Sequence, residues 1–317
     1  MKNIVLCALC AVLASAALVA GQAHAADVFV FGDSLSDAGN IYQMTGETTA
    51  SPYPLVPTYP YTMGGFHYSN GKTWAERFAQ IAGDVDGGKA SRSNPGKNGN
   101  YAHGGARGRN NAMHPSPDSL AQAQAMIADF GGAPANAIYV VQFGGNDIRD
   151  ALGAVAFYPD GSPDLTASVG ILYQAAAEVA GTIQVLYSAG ARHFLVANAP
   201  DLANAPAVAL QGPQVQFITA IFTGTFNGVL DGYLLALAAS PGITIDRLDM
   251  YAFTNELVAN PGGYGLTNVT SPCLNFLVES GGKCENPDEY LFWDGLHPTA
   301  TVHKQLAQEA AGSITSN

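Results

Sequence analysis

Four short segments bring together the side chains and backbone groups that nucleophilic acyl chemistry needs. The first is Gly32-Asp33-Ser34-Leu35-Ser36-Asp37-Ala38-Gly39-Asn40. Ser34 follows a short apolar run and precedes a turn, the position where an open α/β sheet presents groups to a ligand. It is not in a Gly-x-Ser-x-Gly elbow, because position 36 is Ser. A serine at such a junction also serves as a helix cap or turn former, so a nucleophile requires a base and oxyanion donors elsewhere. The second segment, Trp293-Asp294-Gly295-Leu296-His297-Pro298, offers that base. An aspartate three residues before a histidine can fold back and accept from Nδ1–H, leaving Nε2 to take a proton from a hydroxyl. Among His67, His103, His114, His193, His297 and His303, only His297 has a carboxylate beside it at a turn. His193 opens a buried-strand pattern, and His303 falls in a helical stretch as a surface residue. The third segment is Phe143-Gly144-Gly145-Asn146-Asp147 and the fourth Asn100-Tyr101-Ala102-His103-Gly104-Gly105-Ala106. Each reads as an ordinary turn when taken alone. Together they supply an amide and exposed glycine N–H groups for a developing oxyanion.

Alternating elements position these segments. Asp27–Phe31, Ala137–Gln142, His193–Ala197 and Ile243–Leu248 are short and β-rich, as buried strands are. Helical stretches lie between them at Thr73–Ala82, Pro117–Phe130, Leu165–Ala189, Pro213–Ala239 and Thr299–Ala311. Strands alternating with helices predict a parallel sheet covered on both faces. The chemistry-bearing segments follow strand ends. Thr45–Asn70 and Gly83–Asn100 are rich in Gly, Pro, Tyr, Ser and Asn and read as surface loops.

The chain has 317 residues, 12% charged, with a formal net charge of −12. So few charges exclude a solvated, disordered chain or a coiled coil. The acidic balance and absence of a Lys/Arg run exclude nucleic acid as a partner. Lys2, the apolar run Ile4–Ala20 and the small-x-small Ala23-His24-Ala25 predict an export signal over residues 1–25, with an uncleaved anchor as the alternative. Residues 26–317 then form a single domain, secreted or periplasmic, with no further stretch apolar enough to span a membrane. Cys7 and Cys10 leave with the signal. Cys273 and Cys284 remain as an even pair in an exported chain, which predicts a disulfide over two free thiols. No zinc-binding pattern occurs, and no cofactor is expected.

With these residues in view, the chain resembles the GDSL esterases and lipases, also called SGNH hydrolases. The resemblance rests on Phe31–Asp37, Asn100–Ala106, Gly144–Asp147 and Asp294–Thr299, in that order. Weaker similarity lies in Tyr68–Trp74 and Asn198–Leu202. It implies a three-layer α/β/α sandwich with a doubly wound, mostly five-stranded parallel sheet, and hydrolysis of carboxylic esters without a metal. Carried over by position, Ser34 is the nucleophile, His297 the base and Asp294 its orienting partner. The oxyanion hole comprises the backbone N–H of Ser34 and of Gly105 and the side chain of Asn146, with Gly104 the alternative to Gly105. Asp33, Asp37 and Asn40 hold the nucleophile loop. Tyr42, Tyr53, Tyr59, Tyr61, Phe66 and Tyr68 either line an acyl-binding rim or pack over the sheet edge. Small-molecule or lipid esters are the expected substrates. Across the chain the likeness is to the exported bacterial lipase and phospholipase branch, so the resemblance implies an exported serine esterase or lipase. The alternatives are a carbohydrate O-acetylesterase, or a phospholipase or acyltransferase on the same scaffold. A silent binding protein would lack a reason for the complete set.

Overall fold

Unbroken runs of apolar residues build the centre of the molecule. The computed structural model describes residues 27–46, 65–111, 114–274 and 282–315. The expected export signal and Tyr53, Tyr59 and Tyr61 lie outside the described residues. Strands β1 (Val28–Gly32), β2 (Ile138–Gln142), β3 (His193–Ala197) and β4 (Thr244–Leu248) pair in parallel in that order. Every residue of β1 and β2 is buried. Such strands need no polar face, because helices cover both sides of the sheet.

Side-chain alternation decides which layer each residue meets. Val28, Val30, Ile138, Val140 and Leu195 pack against Trp74 and Phe78 of α2 (Trp74–Ile81), Met250 of α7 (Met250–Ala259) and Leu306 of α8 (Ala300–Gly312). Phe29, Phe31, Tyr139, Val141 and Phe194 face the other layer. That layer holds α3 (Ser119–Phe130), α4 (Gly145–Gly153), α5 (Thr166–Ser188) and α6 (Pro213–Leu237). A short helix, α1 (Asn40–Thr45), follows the Ser34 loop. A small parallel pair, β5 (Asn268–Pro272) and β6 (Tyr290–Phe292), carries the Asp294–His297 turn.

Of the five strands that the family resemblance implies, four form the ladder, and the fifth position is reduced to a bridge between Asn100 and Val30. Val30 N–H donates to Gly99 O at 2.9 Å and Tyr101 N–H to Val30 O at 2.7 Å. Beyond that bridge Gly32 O still accepts from His103 N–H at 3.1 Å, while Gly32 N–H donates to Gln122 Oε1 at 2.9 Å and not to the Asn100–His103 segment.

Two expectations are corrected here. His303 is 1% exposed, not on the surface. Its position on α8 faces α2, where Nδ1 accepts from Trp74 N–H at 3.1 Å. Burial and the nearby His67 and His297 push its imidazole down to about 3, so it stays neutral. Two helices, α5 and α6, are long and apolar enough to cross a membrane by length and composition, although no such stretch was expected. Both pack onto the sheet, through Leu172, Val179 and Ile183 of α5 and Phe222, Phe226 and Leu230 of α6.

Cys273 and Cys284 form the expected disulfide, with Cα atoms 4.8 Å apart. The bridge packs on Trp293, immediately before Asp294. Cys273 N–H and Leu274 N–H donate to Phe292 O and Trp293 O at 2.9 and 2.6 Å, tying the bridge to the Asp294–His297 turn. Its eleven-residue separation gives about 2–3 kcal/mol by the chain-entropy model. Reduction is therefore expected to lower the free energy of unfolding by that amount and shift the urea midpoint downward, measured with and without dithiothreitol. An unchanged midpoint in the reduced protein would overturn the estimate.

Candidate functional site

Ser34 lies two residues beyond β1, in a loop that buried carboxylates hold from beneath. Asp33 Oδ1 accepts from Leu35 N–H at 3.0 Å. Asp37 accepts from the N–H groups of Gly39, Asn40 and Ile41. It also accepts from Gly104 N–H at 2.7 Å, joining the Ser34 loop to the Gly104 loop. Burial pushes Asp37 up to about 6 against these four N–H groups. Asn40 Nδ2 donates to Asn100 O and Ala102 O, and Asn100 Nδ2 donates to Ser36 O. Thus Asp37 and Asn40 connect two loops that lie more than sixty residues apart.

The turn at the other end of the chain is equally constrained. Trp293 N–H donates to His297 O at 2.7 Å, and Phe292 bridges Pro298. Within it, Asp294 Oδ1 accepts from Leu296 N–H and His297 N–H, each at 2.8 Å. Asp294 Oδ2 lies 2.8 Å from His297 Nδ1. Burial opposes charge on Asp294, but His297 and these donors prevail and hold its carboxyl below the usual range. His297 Nε2 meets Ser34 Oγ at 2.9 Å, across 263 residues of sequence. With Nδ1–H donating to Asp294, Nε2 is the acceptor for the Ser34 hydroxyl. Asp294 and His297 are 4% and 6% exposed, whereas Ser34 is half-buried and reachable. Such a chain can carry a proton from the hydroxyl as it attacks an electrophilic carbon.

Three backbone and side-chain donors come from the Ser34 loop and the loops joined to it. The Gly104 N–H is committed to Asp37, whereas neither Ser34 N–H nor Gly105 N–H has an acceptor among the described residues. That separates the two glycines: Gly105 is the one with a donor to spare. The Gly104–Gly105 peptide is gripped at its carbonyl by the Ser116 hydroxyl at 2.5 Å. Arg107 Nη1 donates to Gly105 O at 2.6 Å. Gly105 has φ +78°, and a Cβ there would stand 2.7 Å from His114 Cε1. A Cβ on Gly104 would stand 2.3 Å from the Tyr68 ring. Side chains are excluded at both positions. Asn146, in the first turn of α4, donates one amide hydrogen to Ala106 O at 2.9 Å, and the second remains for a ligand.

Several residues here were not legible in advance. Helix α4 begins with glycine, has only nine residues and is polar on average, with Asn146 and Asp147 on its buried face. On it, Asp147 accepts from Gly108 N–H at 2.7 Å and from Arg109, while Asp150 pairs with Arg107 and Arg109. Burial pushes Asp147 up to about 7 against these partners. Tyr68 lies with its ring centroid 5.0 Å from that of His297. Of the aromatic loop residues, Tyr42 stacks on Phe66 at 3.7 Å, so the described part both packs and lines the site.

An apolar cleft adjoins the Ser34–His297 pair on the side of α7 and α8. Leu35, Leu296 and Pro298 border it, with Met250, Phe253 and Leu257 behind them.

The chain is similar to several known proteins. The family described as GDSL-like Lipase/Acylhydrolase matches residues 28–310. A GDSL esterase/lipase of Arabidopsis thaliana is 26% identical, over 92% of this chain and 86% of its own length. The thermolabile hemolysin of Vibrio parahaemolyticus is 24% identical over 89% of this chain and 62% of its own. An alpha/beta hydrolase from the metagenome of Lake Arreo, Spain, superposes with a TM-score of 0.43 and 13% identity, over 91% of this chain and 96% of that one.

Proposed function

Because the chain belongs to the GDSL-like lipase/acylhydrolase family and is a carboxylic ester hydrolase, we propose that it works through an acyl-enzyme on Ser34, with His297 as general base and Asp294 orienting the imidazole. The observation that carries this reading is the continuous Ser34–His297–Asp294 hydrogen-bond chain, 2.9 and 2.8 Å long in its two links. Ser34 Oγ attacks the ester carbonyl as Nε2 takes its proton. The carbonyl oxygen becomes an oxyanion held by Ser34 N–H, Gly105 N–H and the free Asn146 amide hydrogen. His297 returns the proton to the leaving alcohol, and water repeats the sequence to free the acid. Loss of one oxyanion donor commonly costs 10²–10³ in kcat, so Asn146→Ala is expected to lower kcat by about that factor with KM little changed. A larger change in KM than in kcat would remove Asn146 from this role.

The cleft beside Leu35, Leu296 and Pro298 supports an acyl chain longer than acetyl, because its wall is apolar. Rates with p-nitrophenyl esters from acetate to decanoate test this directly. A maximum beyond acetate is expected, unaffected by EDTA, together with covalent labelling of Ser34 by an organophosphate. Activity confined to acetyl esters of carbohydrates would instead favour an O-acetylesterase, and unlabelled Ser34 in the folded protein would sink the reading. We further read residues 1–25 as a cleaved export signal and 26–317 as one exported hydrolase unit. The Cys273–Cys284 bridge supports an oxidising destination.

A further inference from the structure

We propose that Arg149 receives an oxyanion, a phosphate in its simplest form, carried on the alcohol part of the ester. The inference rests on the acyl-enzyme reading above and adds to it a preference for one class of alcohol. Arg149 lies on α4, four residues after Gly145 and three after Asn146, so all three share one stretch of the helix surface. That surface borders the site. A Cβ on Gly145 would stand 3.5 Å from Asp33 Oδ2, and Asn146 reaches Ala106 O. Helical side chains lean toward the N-terminus, so Arg149 extends back over the turn that carries Asn146.

Its guanidinium forms no ion pair among the described residues. Arg107 and Arg109 instead take Asp147 and Asp150, in pairs 2.8–3.0 Å long. Arg149 is exposed and makes no hydrogen bond or ion pair among the described residues. Burial and Arg107 disfavour charge on its guanidinium, while Asp150, Asp33 and Tyr68 favour it, which places it in the field of the site. A protein of formal net charge −12 therefore offers, beside its proposed oxyanion donors, a planar fork that is engaged in no ion pair among the described residues. That fork suits bidentate contact with phosphate oxygens. The acyl cleft lies with α7 and α8 on one face of the sheet, and α4 lies in the opposite layer. An ester spanning Ser34 would thus send its acyl chain to the apolar side and its alcohol toward Arg149.

The test compares 1-butyryl-glycerol 3-phosphate with 1-butyryl-glycerol, which share the acyl group and differ by the phosphate. In Arg149→Gln, the ratio of kcat/KM for the phosphate ester over the neutral one is expected to fall tenfold or more, a loss of about the size found for one hydrogen-bonded charged contact. Arg149→Lys is expected to restore part of the ratio. A parallel measurement uses Ser34→Ala protein and calorimetry with glycerol 3-phosphate, then with inorganic phosphate. Binding of the former that disappears in Ser34→Ala/Arg149→Gln supports the proposal, and stronger binding of inorganic phosphate identifies a free anion site and overturns it. An unchanged ratio in Arg149→Gln also overturns it. Failure of the acyl-enzyme reading appears separately, as activity retained in Ser34→Ala.

Discussion

Ser34→Ala is expected to lower p-nitrophenyl butyrate hydrolysis by about 10⁴- to 10⁶-fold, with the folded structure unchanged. The hydroxyl is the bond-forming atom in the proposed sequence, and its one described partner is His297 Nε2. Nothing in the loop leans on it. Backbone N–H groups on Asp33 and Asp37, and the Asn40 amide, hold that loop instead. The variant should therefore melt at the wild-type temperature while losing turnover. What activity persists would come from the oxyanion donors acting on water, which alone leave a modest rate enhancement. Melting temperature and burst amplitude, measured together, check both halves. A variant that melts normally and keeps its turnover would remove Ser34 from the chemistry.

Asp294→Asn should be nearly as damaging, by about 10³- to 10⁴-fold, for a reason visible in the turn. Asp294 Oδ1 accepts from two backbone N–H groups, those of Leu296 and His297. An asparagine must place its carbonyl oxygen there and present its NH₂ to His297 Nδ1. Nδ1 then becomes an acceptor, and the imidazole proton moves to Nε2, pointing at Ser34. The base is still in place, but it has no lone pair for the hydroxyl. Nitrogen-15 spectra of the imidazole should report the changed tautomer alongside the lost rate. Loss of rate with the wild-type tautomer would point to another cause. The folded pKa of Asp294 lies below its unfolded value. Its ionised form therefore adds stability at neutral pH, lost only on acidification through that lowered pKa.

Much of this arrangement was readable from the chain. The strands at 27–31, 137–142 and 193–197 each contain a short apolar, β-rich run, and the helical stretches between them are long enough to cover a sheet. Asp294 and His297 are three residues apart, so their pairing is a local property of one turn. The family resemblance implied that Asp37 and Asn40 hold the loop, and their hydrogen bonds to its backbone and to the Asn100–Gly104 segment do so. The exceptions have physical causes. His303 was expected at the surface because a histidine in a polar helix suits either face, and only the packing of α8 on α2 selects the inner one. The fifth strand keeps an isolated bridge and the His103 N–H bond to Gly32 O but forms no regular ladder, because Gln122, from a helix about ninety residues away, takes the Gly32 N–H.

Sequence alone determined the parallel α/β architecture, the candidate nucleophile, base and orienting carboxylate, and the disulfide. These depend on apolar periodicity, on residue types at strand ends and on spacings of a few residues, all of which one segment carries by itself. Tertiary structure alone decided that Ser34 and His297 meet across 263 positions, and that Gly105 keeps the N–H that Gly104 gives to Asp37. It also decided that two of three neighbouring arginines, Arg107 and Arg109, pair directly with carboxylates while Arg149 forms no ion pair among the described residues. Those outcomes depend on which distant side chain reaches a given hydrogen-bonding group first. That competition is settled by packing between segments, so no single segment records its result.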